Sequence, residues 1–280
     1  MIGILSKNVT SEWKIKHVRE IDIRNPVDIS GLFIDWIPKL PEYEVDWMKQ
    51  ASILQYYIKH IPVVIFDRYF SLNEREIGFV KKYDVKLFEP ALNSNRYGFT
   101  YLPEWIDSLE IENDEVIREY DLIYPNLEHS IKEFDKWIGE YSLLFTDKNI
   151  GYSTKINIPD SKKEEYRKKF LNETDKGYES GKTTLVIDRP KAYKMGYLNS
   201  KYFTAMRYGC LPILPAEHKY FHGLFKGLIV EDLKDLDYIV SMFGKLKDII
   251  IEEIFDRIKK DWSEFTVEHT IDVIKGCLNE

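Results

Sequence analysis

Tyr197-Leu-Asn-Ser-Lys-Tyr-Phe-Thr-Ala-Met-Arg-Tyr-Gly-Cys-Leu-Pro-Ile-Leu214 reads as a helix over 198–208 that stops at a glycine and passes at once into a buried strand. Asn199 and Ser200 are good N-cap residues, which leaves the amides of Lys201 to Phe203 as the free donors of the first turn. A helix start of this kind attracts an anion through its unpaired N–H groups and its dipole. Gly209 suits the left-handed position that closes a helix, and a Pro-containing strand over 211–214 follows. The same pattern also describes an ordinary helix-glycine-strand junction.

On both sides of this unit strand-like and helix-like runs alternate, as they do in parallel sheets covered by helices. Strands are expected over 2–5, 31–34, 62–66, 85–88 and 98–102, with amphipathic helices over 45–59 and 73–82. The acid-rich, aperiodic stretch 108–119 marks a boundary. The pattern then restarts with strands over 120–124, 141–145, 183–187, 211–214 and 228–230. Helices are expected over 128–138, 161–170 and 233–243, and a nearly continuous helical tail over 246–278 breaks near Trp262 and Phe265. The fold class this predicts is α/β, with two Rossmann-like domains facing across a cleft. Their expected limits are 1–113 and 114–262, with a last helix over 263–280. Ligands of open parallel sheets bind outside the carboxyl ends of the strands.

Composition narrows the function classes. The 280 residues are 44% hydrophobic, enough for a real core, and 40 basic against 47 acidic residues leave a net charge of −7. That balance excludes a wholly electrostatic nucleic-acid binder, although not a local basic patch. The apolar runs fall far short of the ~20 residues of a membrane span. The first residues are too short an apolar run for a signal peptide and read as a strand. Two cysteines, Cys210 and Cys277, make neither a disulfide scaffold nor a four-ligand zinc site. The expectation is a soluble protein of a reducing compartment.

Several motifs are missing. No G-x-G-x-x-G follows the first strand, and neither a P-loop nor a G-x-S-x-G elbow occurs. Gly177-Tyr-Glu-Ser-Gly-Lys-Thr183 has a phosphate-loop flavour but precedes a strand, so its amides would not open a helix. His218 and His222 have the i, i+4 spacing of a metal pair without an evident third ligand beyond Glu217, and read as loop histidines.

Lys201, Ala205, Gly209, Pro212 and Ile213 resemble the K-x-x-E-A-x-x-x-G-x-x-P-[VI] signature of GT-B fold glycosyltransferases, over roughly 193–280. The resemblance implies a second domain that holds a nucleotide-sugar donor, a last helix that crosses back to the first domain, and no metal or other cofactor for catalysis. It places Asn126, His129, Arg189, Asn199, Ser200, Lys201 and Thr204 around the donor. Thr204 departs from the family, which usually has a glutamate there for the donor ribose. Threonine is shorter and neutral, so at most a single weaker hydrogen bond remains.

For an inverting transfer the resemblance asks for a base in the first domain. Asp67 ends the best buried strand there, with Arg68 beside it, and Asp35 and Glu12 are competitors. Each of these acids also reads as a cap or a structural salt bridge. The compact chain further resembles the T-even phage DNA glycosyltransferases, notably in Pro62-Val-Val-Ile-Phe-Asp67. This implies a UDP-sugar donor carrying glucose or a pentose such as arabinose, hydroxymethylated cytosine in duplex DNA as acceptor, no membrane partner, and a cytoplasmic location in a bacterial host. Trp13, Lys16 and Arg68, with the basic run 161–169, are the acceptor-side candidates, and equally a solvated charged face. A glycan acceptor with the same donor site, or an inactive scaffold used as a binding protein, are the alternatives.

Overall fold

A computed structural model describes residues 2–5, 18–20, 29–39, 44–94, 96–105, 118–125, 131–152, 176–199, 201–221, 228–245, 253, 256, 260 and 263–279. The chain is α/β and divides into two compact units, 1–107 with 264–280, and 108–263. Each unit is built on one parallel, Rossmann-like sheet.

The first sheet contains β1 (Ile2–Leu5), β2 (Val18–Glu20), β3 (Gly31–Asp35), β4 (Val63–Phe66), β5 (Val85–Glu89) and β6 (Phe99–Tyr101), in the order β2-β1-β3-β4-β5-β6. Its central strands are continuous apolar runs because both of their faces are buried. Leu32, Ile34, Val63, Ile65 and Leu87 pack on one side with Ile53, Leu54 and Tyr57 of α1 (Glu44–Tyr57). Val80 of α2 (Glu74–Val80) joins the same cluster. Phe33, Val64, Phe66 and Phe88 point the other way. They meet Val267, Ile271, Ile274 and Leu278 of the C-terminal helix, Val267–Asn279. That helix lies close to β3 at Gly31, where an added Cβ would stand 2.9 Å from Leu278.

The second sheet contains β7 (Tyr120–Tyr124), β8 (Ile150–Tyr152), β9 (Gly181–Leu185), β10 (Leu211–Pro215) and β11 (Ile229–Val230), in the order β11-β10-β9-β7-β8. Helix α3 (Ile131–Phe134) runs through a π-helical stretch, Asp135–Gly139, into α4 (Glu140–Leu144). A 3-10 turn (Lys176–Ser180) leads into β9. Then follow α5 (Pro190–Met195), α6 (Lys201–Arg207) and α7 (Leu233–Lys245). Gly209 closes α6 at φ 66°, and Cys210 donates its N–H back to Ala205 O at 2.9 Å. Pro212 is tolerated inside a sheet for a simple reason. Leu214 and Ala216 donate towards β11, so the missing N–H of Pro212 falls on that side, where the described pairing begins only at Leu214.

One expectation is corrected, and three elements were not anticipated. The apolar stretch 141–145 is helix as far as Leu144, with Phe145 its C-cap, and not strand. Strand β2 and the edge strand β8 are elements that the sequence reading passed over. Helix α5 was likewise unanticipated. The boundary stretch 108–117, the helix over 161–170 and Trp262 lie outside the described residues. Among the described residues no helix is long and apolar enough to cross a membrane.

Candidate functional site

In each sheet the first strand of the unit lies between its second and third strands, β1 between β2 and β3, and β7 between β8 and β9. Connections therefore leave the carboxyl ends of adjacent strands in opposite directions and open a crevice there, the usual ligand position of such sheets.

In the second unit the carboxyl ends of β9 and β10 carry a buried polar pair. Asp188 Oδ2 lies 3.1 Å from His218 Nε2, with the two side chains 2% and 0% exposed. A carboxylate only accepts, so the imidazole proton of this bond sits on Nε2. His218 Nδ1 is buried with no hydrogen-bond partner among the described residues. Three aromatic rings surround the imidazole edge-on: Tyr193 at 4.4 Å, Tyr202 at 5.7 Å and Phe221 at 6.2 Å between centroids. The Asp188 N–H donates to the Tyr193 hydroxyl at 2.8 Å, and the Tyr202 hydroxyl donates to Val186 O at 3.0 Å. Burial pushes the Tyr193 and Tyr202 phenols well above their ordinary range, so both stay neutral hydrogen-bonding groups.

Arg189 follows Asp188 and is exposed at the N-cap position of α5, with Pro190 at the first helical position. Asn199 caps α6 as its composition suggests, its Oδ1 accepting the Lys201 N–H at 3.0 Å. Lys201 and Thr204 lie in the first turns of α6, half-buried. The bond from Tyr202 to Val186 sets this helix start beside the carboxyl end of β9, so Arg189, Asn199 and Lys201 belong to one edge of one sheet. Asn126, His129, Ser200 and His222 lie outside the described residues. Among those described, no group of three or more His, Cys, Asp or Glu side chains is arranged to hold a metal ion. One D-x-D string does occur, Asp235-Leu-Asp237, and it lies within α7. There Asp235 accepts the Glu231 N–H at 3.1 Å and Asp237 the Tyr141 hydroxyl at 3.1 Å.

The carboxyl edge of the first sheet is a buried ionic network. Asp67 accepts four hydrogen bonds: Ser71 N at 2.8 Å and Oγ at 3.1 Å on Oδ1, Leu72 N at 2.9 Å and Arg96 Nη2 at 2.7 Å on Oδ2. Its lone-pair positions are taken, an arrangement that holds the turn 67–72. Within that turn Phe70 adopts φ 55°, a left-handed backbone that the Asp67 bonds help to fix. Arg68, next to Asp67 in the chain, is directed to other carboxylates. It reaches Asp35 Oδ2 at 3.3 Å and Glu104 Oε1 at 3.2 Å, with its guanidinium 4.5 Å from the Trp105 ring. Arg96 bridges Asp67 and Glu89 Oε2, the latter at 2.9 Å, and stacks 4.0 Å from Phe99. Glu12, Trp13 and Lys16 lie outside the described residues.

Sequence reasoning missed Glu89, Glu104, Arg96, Asp188 and the role of His218. Glu89 and Asp188 carry the signal that singled out Asp35 and Asp67, an acid at the end of an apolar strand. Arg96 carries none, since its partners are far off in the chain.

No protein-family model matches the sequence, and no curated protein sequence matches it. Among solved structures the chain is similar to MurG of Acinetobacter baumannii, at 10% identity over 87% of this chain and 84% of that one, with a TM-score of 0.31. So loose a superposition carries no argument about function; the two parallel sheets are read from this chain itself.

Proposed function

We propose that the protein is a GT-B glycosyltransferase that takes a sugar from a nucleotide-sugar donor, most simply a UDP-sugar, bound at the carboxyl edge of the second sheet. The observation that carries this reading is the convergence, at one switch point, of Arg189 with the capped start of α6. A guanidinium at the carboxyl edge suits a diphosphate, and α6, whose start lies on the same edge, is the helix on which the sequence resemblance rests. Arg189 and Lys201 would neutralise the leaving diphosphate. Thr204 would offer the ribose a hydroxyl in place of a carboxylate.

The acceptor is a hydroxyl, which the resemblance to phage enzymes assigns to hydroxymethylated cytosine in DNA. A second reading is favoured by the first sheet. Its described carboxyl edge holds Asp35, Asp67, Glu89 and Glu104 against Arg68 and Arg96, more acid than base. Such an edge offers a phosphate backbone no excess of positive charge and suits a neutral glycan better. If the transfer inverts, the base is drawn from Asp67, Asp35 and Glu12; Asp67 would have to release one of its four hydrogen bonds, and Asp35 its pairing with Arg68. A retaining transfer lets a donor phosphate oxygen assist the acceptor hydroxyl instead.

Mass spectrometry of products decides among these. Hydroxymethylcytosine-containing duplex DNA and a panel of neutral glycans are incubated with the protein and several UDP-sugars. A hexose or pentose increment on the nucleoside supports the DNA reading, and one on a glycan the second. Thermal protection by UDP-sugars without any transfer leaves the inactive scaffold, and absence of both removes the glycosyltransferase reading.

A further inference from the structure

We propose that Asp188 and His218 form the positioning element that fixes Arg189 for an anionic diphosphate ligand; this rests on the donor site proposed above. Asp188 and Arg189 are adjacent in the chain, so whatever fixes the one aims the other. Asp188 is held twice, by His218 through its carboxylate and by Tyr193 through its backbone N–H. His218 belongs to the turn after β10, where its N–H donates to Pro215 O at 3.0 Å and its carbonyl accepts from Phe221 N at 2.9 Å. The pair thus ties the end of β9 to the end of β10 across the carboxyl edge of the sheet.

Hydrophobic packing alone does not require this pair. Burying an ionisable couple in an aromatic nest is often no more stabilising than burying apolar side chains of the same shape. His218 in addition leaves Nδ1 buried and unsatisfied among the described residues, a cost that a purely structural position would shed by becoming leucine or phenylalanine. Direction is what the pair supplies. The Nε2–H bond is specific for one carboxylate geometry, so it fixes the backbone from which the exposed guanidinium projects. An arginine pre-aimed in this way loses less freedom on binding.

Titration calorimetry with UDP and with inorganic pyrophosphate tests the proposal on five proteins: wild type, His218→Leu, His218→Gln, Arg189→Ala and the His218→Leu/Arg189→Ala double variant. Arg189→Ala is expected to weaken UDP binding about tenfold, as loss of a charge-assisted bond does. His218→Leu should weaken it to a similar degree, and the double variant no further than Arg189→Ala alone. His218→Gln, which keeps an N–H near the Nε2 position, should recover most of the affinity. Additive losses in the double variant, or a His218→Leu protein that binds as wild type does, would overturn the proposal. A merely structural role would move the melting temperature of His218→Leu while leaving its losses additive with those of Arg189→Ala. If the wild type binds pyrophosphate but not UDP, the anion site stands and the glycosyltransferase reading falls. Binding of neither probe removes both.

Discussion

Glu89 shows how a single side chain reports on its surroundings. Its carboxyl is pushed above the ordinary 4.5, chiefly by burial, against the opposing pull of Ser94 and Arg96. The fold therefore favours the neutral acid. The stability this contributes is complete below the unfolded pKa and is lost as pH rises through the raised folded value. Glu89→Gln keeps the neutral shape at every pH. Urea titrations between about pH 4 and 8 should show the variant gaining on the wild type as pH rises, then a constant difference. Parallel curves across that range would contradict the assignment. Arg96 lies on the other side of the same bond. Replacing it with methionine strands Asp67, which is 0% exposed, and Glu89 without their cation. A loss of about 3 kcal/mol in unfolding free energy is expected, far above that of an exposed ion pair.

Among the elements, α6 was legible in the sequence because its signals are local. An asparagine cap, an apolar face and a terminal glycine need no tertiary context, and Asn199 and Gly209 stand where they imply. Asn199→Ala should cost about 1 kcal/mol. Gly209→Ala, which forces a Cβ into the left-handed region, should cost about 1 kcal/mol or more. Both are measurable by chemical denaturation, and a neutral Gly209→Ala would mean that the turn relaxes. The misread stretch 141–145 failed for a physical reason. The π-helical turn over 135–139 shifts the helical phase, so Trp137, Ile138 and Tyr141 are buried while Leu143 and Leu144 are 78% and 67% exposed. A short apolar run with that phase is indistinguishable from a strand by periodicity. The edge strands β2 and β8 escaped because a strand paired on one side needs no apolar run. The network of Arg96, Asp67 and Glu89 was illegible because only the fold brings its members together.

At the scale of the whole chain, the first unit is discontinuous, completed by residues 264–280. The four buried side chains Val267, Ile271, Ile274 and Leu278 pack, with Leu102 and Trp105, on one face of β3 and β4. At about 1.5–3 kcal/mol each, their burial rivals the net stability of an ordinary domain. The helix belongs to the first unit, and the second is a compact unit of its own over 108–263. A chain ending at residue 263 should therefore lose the first unit and keep the second. Hydrogen exchange read by mass spectrometry is expected to show β3, β4 and β5 exchanging freely, while β7, β9 and β10 keep their protection. Leu278→Ala is the milder form of the same test. It removes a side chain wedged against Gly31 and should cost about 2–3 kcal/mol without unfolding either unit. Loss of protection throughout the truncated chain would show that the second unit depends on the first. Full protection in β3 and β4 would show that the C-terminal helix is not what covers them.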